Sequence, residues 1–156
     1  MDGQDAGRTF RPAAPLSERE AIEALLAHSL WGARADRLKD RLGQAMRLYS
    51  APRASLFLAC EDAVPVGVIG VRAERDELVI AHIGVAPARR RRGLGSYMVR
   101  QVATRLRPAA ISAETDAEAV GFYRAYGFEI QTLGERYPGV IRYRCHLRVR
   151  VTSLGQ

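Results

Sequence analysis

The sequence predicts a single-domain α/β protein with a mixed, mostly antiparallel central sheet flanked by helices. The chain has 156 residues, a length typical of one compact domain. Short apolar runs typical of strands alternate with segments whose apolar residues recur at helical spacing. In chain order these segments give β-α-α-β-β-β-α-β-α-β-β. We expect residues 1–7 to form a flexible tail and residues 8–156 to form the domain.

The first half of the chain is predicted to contain an edge strand, two helices and three further strands. "RTFRPAA" is a short strand ended by prolines, and Ser17 followed by Glu20 is a capping-box signature that opens a helix ending at Trp31-Gly32. A second helix covers residues 34–49. "ASLFLAC", "VPVGVIGVRA" and "DELVIAHIGV" are strands with charged turns between them, which favours an antiparallel meander.

The second half begins with a helix that starts at Gly93 and ends before Pro108. "AAISAET" follows as a buried strand. Thr115 or Asp116 is expected to cap the next helix, and Gly127 is expected to end it. "FEIQTL" and "VIRYRCHLRV" are the last two strands, with "GERYPG" predicted as the loop between them.

The formal net charge is +7, and Lys39 is the only lysine among 24 basic residues. A positive balance indicates an anionic partner, such as a nucleotide, a nucleic acid or a phosphorylated cofactor. Arginine presents a planar fork suited to phosphate oxygens, although a GC-rich genome also enriches arginine without any function. The charge alone therefore leaves the partner open.

Cys60 and Cys145 lie far apart in the chain, and neither they nor the three histidines have a metal-ligand spacing. We expect both thiols to be buried and unpaired in a reducing compartment. The chain begins without an apolar signal region and has no apolar run long enough for a membrane span. A cytoplasmic protein without a metal site is predicted.

The four arginines at 89–92 stand between a strand and the start of a helix at Gly93-Leu94-Gly95. The first N–H groups of a helix lack internal partners and lie at the positive end of its dipole. Glycines let a phosphate approach the backbone, and arginines add charge-assisted hydrogen bonds. This pattern indicates a diphosphate site, with a solvated basic turn as the alternative.

Two other phosphate-binding loops agree less well with this segment. A Walker loop requires Gly-Lys-Ser/Thr, which "GLGSYM" lacks. A dinucleotide fingerprint requires a third small residue where Met98 stands, and it opens a parallel unit rather than following a meander. Neither loop is expected here.

The segment "HIGVAPARRRRGLGSYM" resembles the acetyl-coenzyme A loop of the GNAT superfamily of N-acetyltransferases. The matching positions are Val85, Pro87, Arg90, Gly93 and Gly95. The segment "ETDAEAVGFYRAYGFEI" resembles the strand-helix block of the same family. Its matching positions are Phe122, Tyr123, Gly127 and Phe128. The resemblance covers roughly residues 64–130 and implies a GNAT-like fold.

The resemblance implies acetyl-CoA as co-substrate, with the arginines and glycines on its diphosphate and the backbone of Ile83 and Val85 against pantetheine and the thioester. The implied cofactor-binding residues are Ile83, Val85, Arg90, Arg91, Arg92, Gly93, Leu94, Gly95, Ser96 and Asp116. Asp116 stands where many relatives have Asn, which puts its contact in question. Arg89 is expected at the 3′-phosphate or in solvent.

Tyr123 occupies the family's general-acid position, where a phenol with a pKa of about 10 can protonate a thiolate. An aromatic core residue is the alternative. No general base is evident, because Ala81 and Val79 occupy the strand positions that often carry one. His82 points to the other face and is predicted to be structural. Glu114 is left as the base, and a water chain or an acceptor with a low pKa would remove the need for one.

The acceptor is predicted to be an amine of a small molecule or peptide. Trp31, Glu135 and Tyr137 are candidates for an aromatic and acidic acceptor pocket, with packing and loop roles as the alternative. Two other functions stay open, a basic nucleic-acid-binding module that uses residues 89–92 and a non-catalytic acetyl-CoA sensor. O-acetylation and a homodimer are also left open.

Overall fold

The computed structural model describes residues 7–30 and 35–149. The predicted tail at residues 1–7, apart from Gly7, lies outside the described residues, and so does Trp31-Gly32. The helix end predicted there is wrong, because the first helix already ends at Ala27. The strands are β1 (Arg8–Pro12), β2 (Ala54–Glu61), β3 (Val64–Glu74), β4 (Glu77–Val85), β5 (Ala110–Asp116), β6 (Glu129–Tyr137) and β7 (Val140–Arg148). The helices are α1 (Arg19–Ala27), α2 (Ala35–Leu48), α3 (Leu94–Leu106) and α4 (Val120–Tyr126), with a 3₁₀ turn at Pro87–Arg89.

Seven strands form one hydrogen-bonded sheet in the order β1-β2-β3-β4-β5-β7-β6. β1 with β2, β2 with β3, β5 with β7 and β6 with β7 pair antiparallel, whereas β4 and β5 pair parallel. The parallel ladder runs from Glu77↔Ala110 to Val79↔Ser112, and both strands continue beyond it. The predicted α/β class, with a mixed and mostly antiparallel sheet flanked by helices, is confirmed.

The chain divides into two compact units, the first of which comprises Met1–Arg72 and Ala81–Gln101. Its core forms where the apolar stripe of α1 meets α2 and the inner faces of β2 and β3. The buried residues of this cluster are Ile22, Leu25, Leu26, Ala45, Leu56, Leu58, Cys60 and Val68. Each fully buried aliphatic side chain contributes about 1.5–3 kcal/mol, so this cluster fixes α1 on the sheet.

The second unit comprises Ala73–Ile80 and Val102–Gln156. β7 pairs with β5 on one side and with β6 on the other. Tyr123 and Phe128 are buried in this unit together with Cys145 of β7. Cys60 and Cys145 are both free and buried, as the sequence predicts.

The predicted capping box at Ser17 and Glu20 is wrong, because α1 begins at Arg19 with Glu18 as its N-cap residue. The Ser17 N–H donates to the Ala14 carbonyl at 3.2 Å, so Ser17 belongs to the preceding turn. The Glu18 carboxylate accepts from the Ala14 N–H at 2.9 Å and from Arg11. The Glu18 side chain thus ties the start of α1 to β1 and makes no cap hydrogen bond to the helix.

The predicted loop "GERYPG" is also wrong, because β6 continues to Tyr137 and leaves only a tight turn before β7. The β6–β7 register shifts between Thr132 and Gly134 and again between Glu135 and Tyr137. Gly134 has φ 76°, a conformation that glycine adopts without steric cost, so the strand passes through it as a bulge.

None of the helices in the part of the chain that the structure describes combines the length and the apolar character needed to cross a bilayer.

Candidate active site

The segment from β4 to α3 makes a tight connection whose backbone is strained at one arginine. The Arg89 N–H donates to the Ala86 carbonyl at 2.8 Å and closes the 3₁₀ turn. Arg91 has φ 63° and Gly93 has φ 77°, so both residues are left-handed. Successive N–H groups in such alternating conformations form concavities that bind anions. The connection therefore has the geometry of an anion-binding loop.

The N-terminus of α3 lies directly after this loop. The Tyr97 N–H donates to the Gly93 carbonyl at 2.9 Å, which is the first turn of the helix. The N–H groups of Leu94, Gly95 and Ser96 precede this bond and lie at the positive end of the helix dipole. Leu94 is 2% exposed, so the first turn is anchored in the core.

The loop leaves open space where an anion must approach. A Cβ added at Gly93 meets nothing within 4 Å. A diphosphate is bound by hydrogen-bond donors, and this loop offers both backbone N–H groups and arginine side chains at one helix N-terminus. The residues present are therefore compatible with the diphosphate of acetyl-CoA.

Arg89 forms an ion pair that the sequence did not predict. Its Nε lies 3.5 Å from Oε1 of Glu61, at the end of β2. The prediction left Arg89 at the 3′-phosphate or in solvent, and its side chain is 43% exposed. Arg90 Nε donates to the Val85 carbonyl at 3.4 Å, which ties the loop to the end of β4.

β4 presents alternate residues to α1 and α2. A Cβ added at Gly84 would lie 2.5 Å from the Leu25 carbonyl oxygen, so Gly84 faces the backbone of α1. His82 lies on the same face, and its Nδ1 is 2.6 Å from the Tyr49 hydroxyl. Burial lowers the pKa of His82 to about 4. These contacts are in line with the structural role predicted for His82.

Tyr123 lies on α4, in the second unit, within an aromatic cluster. Its ring centroid is 5.0 Å from that of Phe122 and 5.1 Å from that of Phe128. The residue is only 4% exposed, and this burial raises the pKa of its hydroxyl, with Cys145 adding to the effect. Tyr123 is therefore a neutral phenol throughout the physiological pH range.

The turn before α4 is held by Asp116. Its Oδ1 accepts hydrogen bonds from the N–H groups of Glu118 and Ala119, both at 3.0 Å. The cap predicted at Thr115 or Asp116 is wrong, because the N-cap residue of α4 is Ala119 and no side chain caps the helix; Asp116 ends β5 and holds the turn before α4. At the other end Gly127 has φ 121° and donates to the Tyr123 carbonyl at 3.2 Å, which confirms the predicted helix end.

The three residues predicted to line an acceptor pocket differ in their location and in their exposure. Glu135 lies in β6 rather than in a loop, and its carboxylate accepts from the Gly139 N–H in the hairpin turn. Tyr137 also lies in β6 and is 68% exposed. Trp31 lies outside the described residues. Among residues 7–30 and 35–149, no cluster of His, Cys, Asp and Glu is arranged to hold a metal ion.

Sequence reasoning missed two residues beside the loop, Arg8 and Glu61. They are cross-strand partners in the β1–β2 ladder, and their side chains lie 3.7 Å apart. Arg8 also donates to the backbone of the arginine loop at Arg92. No local motif indicates this, because the pairing of β1 with β2 creates it.

The fold and this loop agree with the resemblance to GNAT acetyltransferases that the two motifs indicate. A model of the acetyltransferase (GNAT) family matches residues 20–128. The chain therefore belongs to this family, whose members transfer an acetyl group from acetyl-CoA as co-substrate. The resemblance inferred from the two motifs is confirmed.

Solved structures show the same fold. Ard1 from Thermoplasma volcanium is 21% identical, with a TM-score of 0.76 over 93% of this chain and 99% of that one. The ribosomal-protein-S18-alanine N-acetyltransferase from Escherichia coli is 15% identical, with a TM-score of 0.75 over 96% and 98%. A dodecameric spermidine N-acetyltransferase from Vibrio cholerae is 15% identical, with a TM-score of 0.69 over 92% and 94%. A search of curated protein sequences gave no significant match.

Proposed function

We propose that this protein is an N-acetyltransferase that moves the acetyl group of acetyl-CoA directly to an amine of a small molecule or peptide. The observation that carries the proposal is the connection from Val85 to Gly95. It joins a strand to a helix N-terminus through left-handed residues at Arg91 and Gly93, with open space at Gly93. Membership of the GNAT family supplies the reaction class.

The loop residues bind the diphosphate in this proposal. The N–H groups of Gly93, Leu94, Gly95 and Ser96 donate to phosphate oxygens, because helix N-termini favour anions. The side chains of residues 90–92 add charge-assisted hydrogen bonds. Arg89 is held by Glu61 and contributes positive charge at the rim of the loop.

The end of β4 holds the reacting end of the co-substrate. We assign the backbone of Ile83 and Val85 to the pantetheine amides and to the thioester carbonyl. An N–H aimed at a carbonyl oxygen that gains negative charge lowers the barrier, as in an oxyanion hole. Acetyl-CoA itself supplies an activated acetyl thioester.

Tyr123 is proposed as the general acid. Its hydroxyl is protonated at physiological pH and can donate a hydrogen bond and then a proton to the departing sulfur, although its raised pKa makes it a weaker acid than an exposed tyrosine. Asp116 uses one oxygen to hold the turn before α4 and so positions Tyr123. A contact between the other Asp116 oxygen and the co-substrate stays a prediction.

The acceptor amine must lose a proton before or during transfer. His82 is a poor base for this step, because its pKa is lowered to about 4 and its Nδ1 is engaged by Tyr49. Glu114, an exposed residue of β5, or a chain of water molecules is left for this role. We therefore do not assign the base to His82.

An amine acceptor is supported by two of the structural neighbours, which are a ribosomal-protein-S18-alanine N-acetyltransferase and a spermidine N-acetyltransferase. Tyr137 is exposed enough to contact an acceptor, whereas Glu135 is occupied by the hairpin turn. Trp31 stays a candidate from the sequence alone. The extent of the domain over residues 8–156, a cytoplasmic location and a homodimer also stay predictions.

A thiol-release assay with acetyl-CoA tests this function. Alanine-initiated peptides and spermidine serve as amine acceptors, and their N-acetylated forms, which have no free amine at the same site, serve as matched controls. Acceptor-dependent release of CoA, with the acetyl group found on nitrogen by mass spectrometry, is the expected result. If acetyl-CoA fails to bind and duplex DNA binds with steep salt dependence, the nucleic-acid module replaces the enzyme.

A further inference from the structure

An arginine from the N-terminal strand reaches the arginine loop. Arg8 on β1 donates from Nη2 to the carbonyl oxygen of Arg92 at 2.6 Å. Its guanidinium carbon lies 5.6 Å from the centroid of the Tyr97 ring, on the first turn of α3. The side chain is only 5% exposed, although it carries a permanent positive charge.

Glu61 supplies the negative charge that makes this burial tolerable. One carboxylate oxygen lies 3.7 Å from Arg8 Nε, and the other lies 3.5 Å from Arg89 Nε. A buried charge is costly unless it is paired, so the ion pair with Glu61 stabilises Arg8, although Arg8 Nε and Glu61 Oε1 form no hydrogen bond among the described residues. Glu61 also links Arg8 to Arg89, at the far end of the loop. Both ends of the loop thus meet one carboxylate–guanidinium cluster.

The hydrogen bond from Arg8 fixes the direction of a particular N–H group. The peptide between Arg92 and Gly93 is trans, because the described residues contain no cis peptide. In a planar trans peptide the C=O and N–H point in opposite directions. The Arg92 carbonyl accepts from Arg8, and the Gly93 N–H therefore points away from Arg8, on the residue that directly precedes α3.

We propose that Arg8 is a positioning residue for the co-substrate: it holds the Arg92 carbonyl so that the Gly93 N–H is aimed at the diphosphate of acetyl-CoA. Glu61 anchors Arg8 in this role. The inference rests on the proposed function, since it assigns the diphosphate to this loop. The role is indirect, because Arg8 acts through the backbone of Arg92 and Gly93.

The test compares two ligands that differ in the diphosphate. Acetyl-CoA is titrated into the wild-type protein, Arg8→Gln and Arg8→Lys by calorimetry, and S-acetylpantetheine, which lacks the diphosphate, is titrated by amide NMR. Arg19→Gln is the matched control, because Arg19 makes an exposed ion pair with Glu23 on α1. Thermal melting of each variant reports whether it is folded.

We expect Arg8→Gln to weaken acetyl-CoA binding about tenfold, as loss of a charged hydrogen-bond donor beside the site predicts. The Kd of S-acetylpantetheine should differ by no more than about twofold between the wild type and Arg8→Gln, since this ligand makes no diphosphate contact. Arg8→Lys keeps the charge and should recover part of the affinity for acetyl-CoA. The control Arg19→Gln should bind both ligands as the wild type does.

Each remaining outcome decides one claim. If the wild type does not bind acetyl-CoA, the proposed function fails. If the wild type binds it and Arg8→Gln binds it equally well, the positioning role alone is overturned. Equal weakening for both ligands also overturns it, because that result indicates a general structural defect. Should Arg8→Gln not fold, the same ligand comparison with Arg8→Lys decides, and an unchanged acetyl-CoA affinity overturns the role.

Discussion

The hydroxyl oxygen of Tyr49 lies 2.6 Å from Nδ1 of His82, and the two rings meet edge to face with centroids 5.6 Å apart. Gly70 makes room for this pair, because a Cβ there would lie 1.8 Å from the Tyr49 hydroxyl oxygen. Burial lowers the pKa of His82 to about 4, and the positive charge of Arg41 lowers it further. This partly buried environment therefore favours the neutral imidazole.

This relationship predicts a loss of stability on mild acidification. The ordinary pKa of histidine is 6.5, so below that pH the unfolded chain binds a proton that the folded chain excludes until about pH 4. The free energy of unfolding should fall by up to about 1.4 kcal/mol per pH unit across this window. Urea unfolding of the wild type and of His82→Gln, which cannot titrate, measures the effect between pH 6.5 and 5.

Stopping the measurement at pH 5 keeps the protonation of Glu18 from contributing to it. The hydrogen bond from Arg11 lowers the pKa of Glu18 to about 2 from its ordinary 4.5, so its contribution is lost only as the pH falls from 4.5 towards 2. If the free energies of unfolding of the wild type and of His82→Gln depend on pH in the same way above pH 5, His82 does not have the lowered pKa that this prediction requires.

Gly84 and Gly121 should respond oppositely to alanine. A Cβ at Gly84 would lie 2.5 Å from the backbone oxygen of Leu25, which cannot move without shifting α1, so Gly84→Ala should cost about 2 kcal/mol or more. A Cβ at Gly121 in α4 meets nothing within 4 Å, and helical alanine is favoured over glycine by about 1 kcal/mol. Chemical denaturation of both variants tests this, and equal effects would contradict the close approach of β4 to α1.

Substitution of Arg91 by glycine should raise the stability of the fold and lower the affinity for acetyl-CoA. Its φ of 63° is unfavourable for any residue with a Cβ, so Arg91→Gly should stabilise the fold by about 1 kcal/mol while weakening acetyl-CoA binding through the lost charge. Arg92→Gly is the matched control, because Arg92 is not among the residues with positive φ. That variant should weaken binding and also lose stability. Denaturation and calorimetry give both quantities, and a destabilised Arg91→Gly would refute the strain.

Tyr123→Phe should abolish most turnover without affecting binding. Removal of the hydroxyl keeps the ring in contact with Phe122 and Phe128, so the fold is preserved. Loss of a general acid predicts a fall in kcat of about 100-fold or more with an unchanged Kd for acetyl-CoA. Tyr126→Phe on the same helix is the control and should keep wild-type kcat. If kcat is unaltered in Tyr123→Phe, Tyr123 is not the general acid and is an aromatic residue of the core.

The fold was predictable because its elements are marked by local apolar periodicity, and the arginine loop was predictable because its residues are contiguous. The start of α1 was not, since Glu18 is the N-cap residue without a side-chain cap, and its contacts with Arg11 and Ala14 follow no capping-box pattern. The length of β6 depends on bulges that let Gly134 stay in the strand, whereas its sequence reads as a loop.

The contacts of Arg8 and of His82 were also hidden from the sequence. Arg8 meets Glu61 and Arg92 only because β1 pairs with β2, and His82 meets Tyr49 only because α2 packs against the sheet. Residues that act through distant partners leave no spacing signal in one chain. Motifs therefore located the loop, and only the fold revealed what holds it.

Titration of acetyl-CoA into the purified protein at low and at moderate salt tests the central claim most directly, with duplex DNA as a parallel titrant. The account predicts saturable one-to-one binding of acetyl-CoA that persists at moderate salt, because a built loop and helix N-terminus hold the diphosphate. Absence of acetyl-CoA binding, together with DNA binding that collapses as salt rises, would contradict it and make the arginines a non-specific grip on polyanions.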